Sequence, residues 1–117
     1  MNEQIKVAIV EDQRVHYDAL KKDLEYIGCV VVAIATSMVE IIDDLIPKLE
    51  ELGVEFIFLD NSIEEMGDGQ EVANKIRERS SSVIIVGFSS NAQDYVDRPL
   101  GKGYMGFQPL KKAIGMA

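Results

Sequence analysis

The chain has 117 residues, 47% hydrophobic and 27% charged, with 20 acids against 12 bases and a net charge of −8. That length suits one domain, 1–117, with a single sizeable core, and no apolar run approaches the roughly 20 residues a membrane span needs. Such a surface repels a phosphate backbone and no basic stripe relieves it, so nucleic acid is set aside and proteins, small molecules or cations are the expected partners.

The start, Met1-Asn2-Glu3-Gln4, lacks the basic region and apolar core of a signal peptide, and a cytoplasmic location is expected. The single cysteine, Cys29, cannot close an internal disulfide and reads as a packed residue. Ile5 to Val10 is a short apolar run, interrupted only by Lys6, that ends in Glu11-Asp12 and reads as a buried strand. Val15, Ala19, Leu20, Leu24 and Ile27 then fall at helical spacing, with Gly28 as the stop. His16, the only histidine, has no second ligand nearby in sequence and reads as a surface or boundary residue.

Cys29 to Ala35 is a second, valine-rich strand. Ser37-Met38-Val39-Glu40 matches a capping box, and the helix it opens should kink or break at Pro47 and stop at Gly53. Val54 to Leu59 is the central strand, ending abruptly in Asp60-Asn61. A carboxylate there suits a ligand site at the C-terminal edge of a parallel sheet, and it equally suits a residue opening a turn.

A loop from Ser62 to Gly69 precedes a polar helix with Val72, Ala73 and Ile76 on its inner face. Val83 to Phe88 is the fourth strand, followed by Ser89-Ser90. Asn91 to Leu100 leaves room for two turns of helix before Pro99 and Gly101; Gly103 to Phe107 is expected as the fifth strand and Leu110 to Ala117 as a last short helix. The alternation predicts a doubly wound α/β domain with a five-stranded parallel sheet and shortened fourth and fifth helices.

If the first strand neighbours the third, Glu11, Asp12 and Asp60 share one crevice. Packed carboxylates raise one another's pKa unless a cation intervenes, and an oxygen-only site that keeps waters and awaits a phosphate suits Mg²⁺. A carboxylate beside that ion can attack a phosphoryl group, and the Ser89 hydroxyl could then bond a phosphoryl oxygen.

Val10-Glu11-Asp12, Phe58-Leu59-Asp60, Met66-Gly67-Asp68-Gly69, Gly87-Phe88-Ser89-Ser90 and Gln108-Pro109-Leu110, in that order and spacing, make the chain resemble a receiver domain of the two-component response regulators, of the chemotaxis-regulator-like kind. The resemblance covers essentially the whole chain. It implies a flavodoxin-like fold of strand order 2-1-3-4-5, Mg²⁺ held by Glu11 and Asp12 with the backbone carbonyl of Ser62, Asp60 as phosphoacceptor and Ser89 as switch hydroxyl. It further implies a phosphodonor that is a histidine kinase or phosphotransfer protein, a downstream protein target, and a monomer or weak homodimer. No enzymatic activity is implied beyond the domain's own phosphorylation and dephosphorylation.

The departures sharpen the expectation. The family carries a lysine before the proline that ends the fifth strand, and Gln108 stands at that position here. A unit charge about 4 Å from a phosphate is worth about 4 kcal/mol in an effective dielectric of roughly 20, and an amide keeps only part of this, so phosphorylation should be weakened. Lys102, at the far end of the expected fifth strand, is too distant to substitute, and Arg14, in the loop after Asp12, reads as a solvated arginine, with supply of the cation as the alternative. The loop after Asp60 is one residue longer than usual and carries Glu64 or Glu65 where a proline is expected. The aromatic switch position falls on Met105, with Tyr104 one residue earlier and on the opposite strand face.

The leading expectation is therefore a stand-alone receiver that accepts phosphate on Asp60 in a Mg²⁺-dependent step and signals by protein contact. The alternative is a pseudo-receiver, a phosphorylation-independent binding module favoured by Gln108 and the reduced output face. An aspartyl-nucleophile phosphatase would need an acid at Ser62, and a flavin carrier would not place Glu11-Asp12 at its phosphate loop.

Overall fold

The computed structural model describes residues 4–116, so Met1-Asn2-Glu3 and Ala117 lie outside the described residues. Strands Lys6–Val10 (β1) and Phe56–Leu59 (β3) bury side chains on both faces, as strands do in a parallel sheet covered by helices on either side. With Val30–Ala35 (β2), Ile84–Gly87 (β4) and Arg98–Pro99 (β5) they form a five-stranded parallel sheet in the expected order β2-β1-β3-β4-β5.

The pleat sorts the core into two layers. Ala8, Val10, Ile57 and Leu59 face residues 40–52 and the helix Asp68–Arg79 (α3). Val7, Ile9, Phe56 and Phe58 face the first helix, Arg14–Tyr26 (α1), and the last, Gln108–Ala113. Side chains as fully buried as Phe58 each contribute about 1.5–3 kcal/mol. In α1 the inner residues are Leu20 and Leu24, with Tyr17 and Ile27 packed beside them. Val15, expected on the inner face, is exposed, because the buried stripe 17-20-24-27 turns it and Ala19 outward.

Pro47 breaks the second helical region as expected. Glu40–Leu45 is a π-helical segment whose wide turns carry the Ile46 N–H back to the Ile41 carbonyl, and Ile46–Lys48 is a 3-10 turn. Only Leu49–Leu52 (α2) is α-helical, and Gly53 ends it at φ 69°, a left-handed conformation suited to glycine. The capping box forms in part. The Ser37 hydroxyl accepts the Glu40 N–H at 3.2 Å, while the Glu40 carboxylate reaches back to the Thr36 N–H and hydroxyl rather than to Ser37.

Beyond β4 the chain departs from expectation. None of residues 88–97 is helical, so the expected short fourth helix is absent. The fifth strand is Arg98–Pro99, and Gly103–Phe107, expected to be that strand, is irregular. Side chains do the work a helix would otherwise do. Asp97 pairs its N–H with the Ile85 carbonyl and its Oδ2 with the Ile85 N–H, extending the ladder by one polar residue. Pro99 is tolerated because β5 is an edge strand. The last helix, Gln108–Ala113 (α4), begins with Gln108 at its first turn and is fastened to β5 by the Arg98 guanidinium, which donates to the Ala113 carbonyl at 2.8 Å. Among the described residues, no helix is long and apolar enough to cross a membrane.

Candidate functional site

The register of the sheet builds the site. Val10 pairs with Leu59 and Leu59 with Gly87, so β1, β3 and β4 end level. One residue further, the Asp60 N–H bonds the Val10 carbonyl at 3.0 Å and the Phe88 N–H bonds the Leu59 carbonyl at 2.9 Å. Glu11, Asp60 and Ser89 therefore arrive together at the C-terminal edge, the crevice where open α/β sheets bind ligands.

Glu11 is fully buried, Asp60 is 4% exposed and Asp12 lies at the surface, yet one carboxylate oxygen from each falls within 4.8 Å of the others. Gln13 N–H donates to Glu11 Oε2 at 2.9 Å. The opposite oxygen, Glu11 Oε1, is 2.7 Å from the Lys102 ammonium but has no donor aligned for a hydrogen bond among the described residues. Three hard oxygen donors, two of them on buried residues, fit a divalent cation of the Mg²⁺ type. Ser62, Ser89 and Lys102 line the same open cleft of about 430 Å³, and the Ser89 hydroxyl accepts the Asn91 N–H at 3.2 Å.

Lys102 is the correction of most consequence. Its Nζ is also 3.4 Å from Asp60 Oδ2, so it holds the cationic position that sequence reasoning had left to Gln108. A fifth strand running on from Lys102 would have set that lysine at its far end, away from the acids. Instead β5 ends at Pro99, and the Lys102 N–H bonds the Ser89 carbonyl at 3.1 Å, which turns the side chain into the cleft. Gln108 is exposed at the start of α4 and does not line the cleft.

The charges explain the titration. Burial pushes the Glu11 carboxyl above its ordinary value, Lys102 and the Gln13 N–H oppose that rise, and the Asp60 charge adds to it. Burial also weighs against the Lys102 ammonium, but Glu11 and Asp60 outweigh it and the lysine ends above its ordinary value. The Glu11 rise is chiefly the cost of burying its charge, and the Lys102 rise follows from two acids beside one base.

Other expectations resolve at the rim. Arg14 pairs with Asp18 in the next turn of α1, away from the acids. Glu64 accepts the Met38 N–H at 2.6 Å, and Asp68 organises the loop by accepting the Glu64 and Glu65 N–H groups. Tyr104 donates to Asp23 on α1 at 2.5 Å, and Met105 is 86% exposed, so neither side chain faces Ser89. Burial, then the Asp23 hydrogen bond, raises the Tyr104 hydroxyl pKa far above its usual value.

Comparison with known proteins agrees with this geometry. The family model described as response regulator receiver domain matches residues 7–116. No curated protein matches the chain. Among solved structures, the signal receiver domain of a modulated diguanylate cyclase from Desulfovibrio desulfuricans G20, described as an example of alternate folding, superposes with a TM-score of 0.79 at 20% identity, covering 98% of this chain and 94% of that one. A CheY-like response regulator receiver domain protein from Methanospirillum hungatei JF-1 gives 0.77 at 19% identity, covering 97% and 93%. RcsB from Salmonella enterica serovar Typhimurium, solved bound to promoter rprA, gives 0.77 at 21% identity, covering 97% of this chain and 68% of that one. These identities speak for the fold alone, and the fold is the receiver's. With the family model spanning nearly the whole chain, the acids and hydroxyl at the level strand ends and the lysine turned in beside them, the chain belongs to the response regulator receiver domain family of two-component signalling.

Proposed function

We propose that this receiver, taken as one unit over 1–117, accepts a phosphoryl group on Asp60 from the phosphohistidine of a histidine kinase or phosphotransfer protein. An Asp60 oxygen attacks phosphorus, the P–N bond breaks, and the imidazole leaves with the electron pair. Glu11, Asp12, Asp60 and the Ser62 carbonyl would hold Mg²⁺, which when bound offsets negative charge on the transferring group. Lys102 supplies a second positive charge, and the Ser89 O–H donates to a phosphoryl oxygen while its oxygen accepts from the Asn91 N–H. The observation carrying this reading is the convergence of three carboxylates within 4.8 Å, with the Lys102 ammonium 3.4 Å from Asp60.

Receiver domains are signalling modules whose partners are kinases or phosphotransfer proteins, and the acidic surface here supports protein partners for the output as well. The pseudo-receiver alternative loses the support it drew from Gln108. One observation still favours it, the missing helix between β4 and β5, which reduces the face available for a phosphorylation-dependent output.

Intact-protein mass spectrometry after incubation with acetyl phosphate tests the reading. One added phosphoryl group is expected in the wild type with Mg²⁺, and none without Mg²⁺ or in Asp60→Asn. A folded wild type that neither binds Mg²⁺ nor gains mass would sink the phosphoacceptor role and leave the binding module.

A further inference from the structure

The helix missing between β4 and β5 is replaced by a loop that grips the phosphoacceptor turn from behind. Gln93 Nε2 donates to the Leu59 carbonyl at 3.1 Å and to the Tyr95 hydroxyl at 2.9 Å. Tyr95 in turn donates to Asn61 Oδ1 at 2.6 Å. Leu59 and Asn61 flank Asp60, so the loop holds the residues on both sides of the proposed phosphoacceptor. From the other direction α3 closes in: the Gly69 N–H donates to the Asn61 carbonyl at 2.9 Å, and a Cβ on Gly69 would lie 2.5 Å from the Asp60 carbonyl oxygen, 2.8 Å from Asn61 Cα, and against the Tyr95 hydroxyl. The packing leaves no slack for the turn to settle elsewhere. Burial holds the Tyr95 hydroxyl pKa above its ordinary value, which keeps it a donor at any working pH.

We infer that Tyr95 is a positioning residue of the Asp60 site: acting through Asn61, its hydroxyl fixes the Asp60–Ser62 turn that presents a carboxylate and a backbone carbonyl to the cation. The inference rests on the receiver reading of the cleft. Partners one shell behind a metal ligand orient it, and their loss typically weakens metal affinity about tenfold or more. The grip also runs along the chain to the cleft itself, because Ser89, at the start of the same loop, turns its hydroxyl into the site and accepts the Asn91 N–H.

The test is titration calorimetry with Mg²⁺ on the wild type, Tyr95→Phe, Asn61→Ala and the double variant. Tyr95→Phe keeps the ring and removes only the hydroxyl, and it should weaken Mg²⁺ binding about tenfold. If the hydroxyl acts through Asn61, the two losses will not add, and the double variant will bind about as well as Asn61→Ala alone. Wild-type affinity in Tyr95→Phe, whatever its thermal midpoint, would reduce the residue to packing and overturn the positioning role alone. Fully additive losses would overturn the route through Asn61. A wild type that takes up no Mg²⁺ would overturn the receiver reading of the cleft, and this inference with it.

Discussion

Residues 4–87 and residues 88–116 bring groups to the same cleft by opposite means. In the first region, apolar runs form the strands, hydrogen bonding sets the register, and the acids follow as the next residues along the chain. In the second, the strand is two residues long, no helix precedes it, and single side chains take the place of regular structure: Gln93, Tyr95, Asp97 and Arg98 each bond across the sheet or to its neighbours. The contrast teaches that the strand ends can stay in register and a lysine can reach the cleft when the connection from β4 to β5 is held by polar contacts rather than by a helix, with α4 supplying the apolar packing beyond it.

The contrast can be broken first where it should be strongest. Leu24, fully buried between α1 and the sheet, represents the apolar half. Leu24→Ala should cost about 2–5 kcal/mol in urea unfolding, through lost burial and the cavity left behind. In the polar half the matching change is Asp97→Ala, which strands the Ile85 N–H and removes the partner of Arg77. An unsatisfied buried donor costs about 1–3 kcal/mol, so this loss should be real but smaller. A change within about 0.5 kcal/mol of wild type would mean that Asp97 decorates the loop instead of holding it.

The same contrast explains what the sequence made legible. Glu11-Asp12, Asp60 and Ser89 each follow a short apolar run rich in β-favouring residues, and the abrupt polar residue after each run marks a strand end. The break at Pro47 was legible because proline has no N–H to continue a helix. Lys102 was hidden because a strand of two residues has no period, while the stretch Gly103–Phe107, with its tyrosine, methionine and phenylalanine, resembled a strand better than Arg98–Pro99 did. Phe107 in fact stacks on Tyr26 of α1, with ring centres 4.6 Å apart. Tyr95 and Gln93 were missed for another reason. Their partners lie 34 residues away in sequence, and no local pattern signals a bond of that span.

The smallest effect on stability, and the sharpest comparison of the two lysine-position candidates, comes from Lys102→Gln beside Gln108→Ala, both melted in EDTA across pH. Glu11 has a folded-state pKa above its ordinary value, so the folded state binds its proton more tightly than the unfolded chain does. Its contribution is therefore favourable at low pH and is lost as pH rises through the folded pKa. Lys102 opposes that loss by supporting the ionised carboxylate at 2.7 Å, and it does so only where Glu11 is ionised. Lys102→Gln should then fall progressively further below wild type as pH rises and Glu11 gives up its proton. Added Mg²⁺ should narrow the gap, since a divalent cation takes over the support of the same oxygens. Gln108→Ala changes an exposed helix-start residue and should stay within about 0.5 kcal/mol of wild type at every pH. A gap for Lys102→Gln that is constant with pH would mean that the lysine stabilises the fold through its ammonium over the Phe88 ring, not as the counter-ion of the acidic cluster.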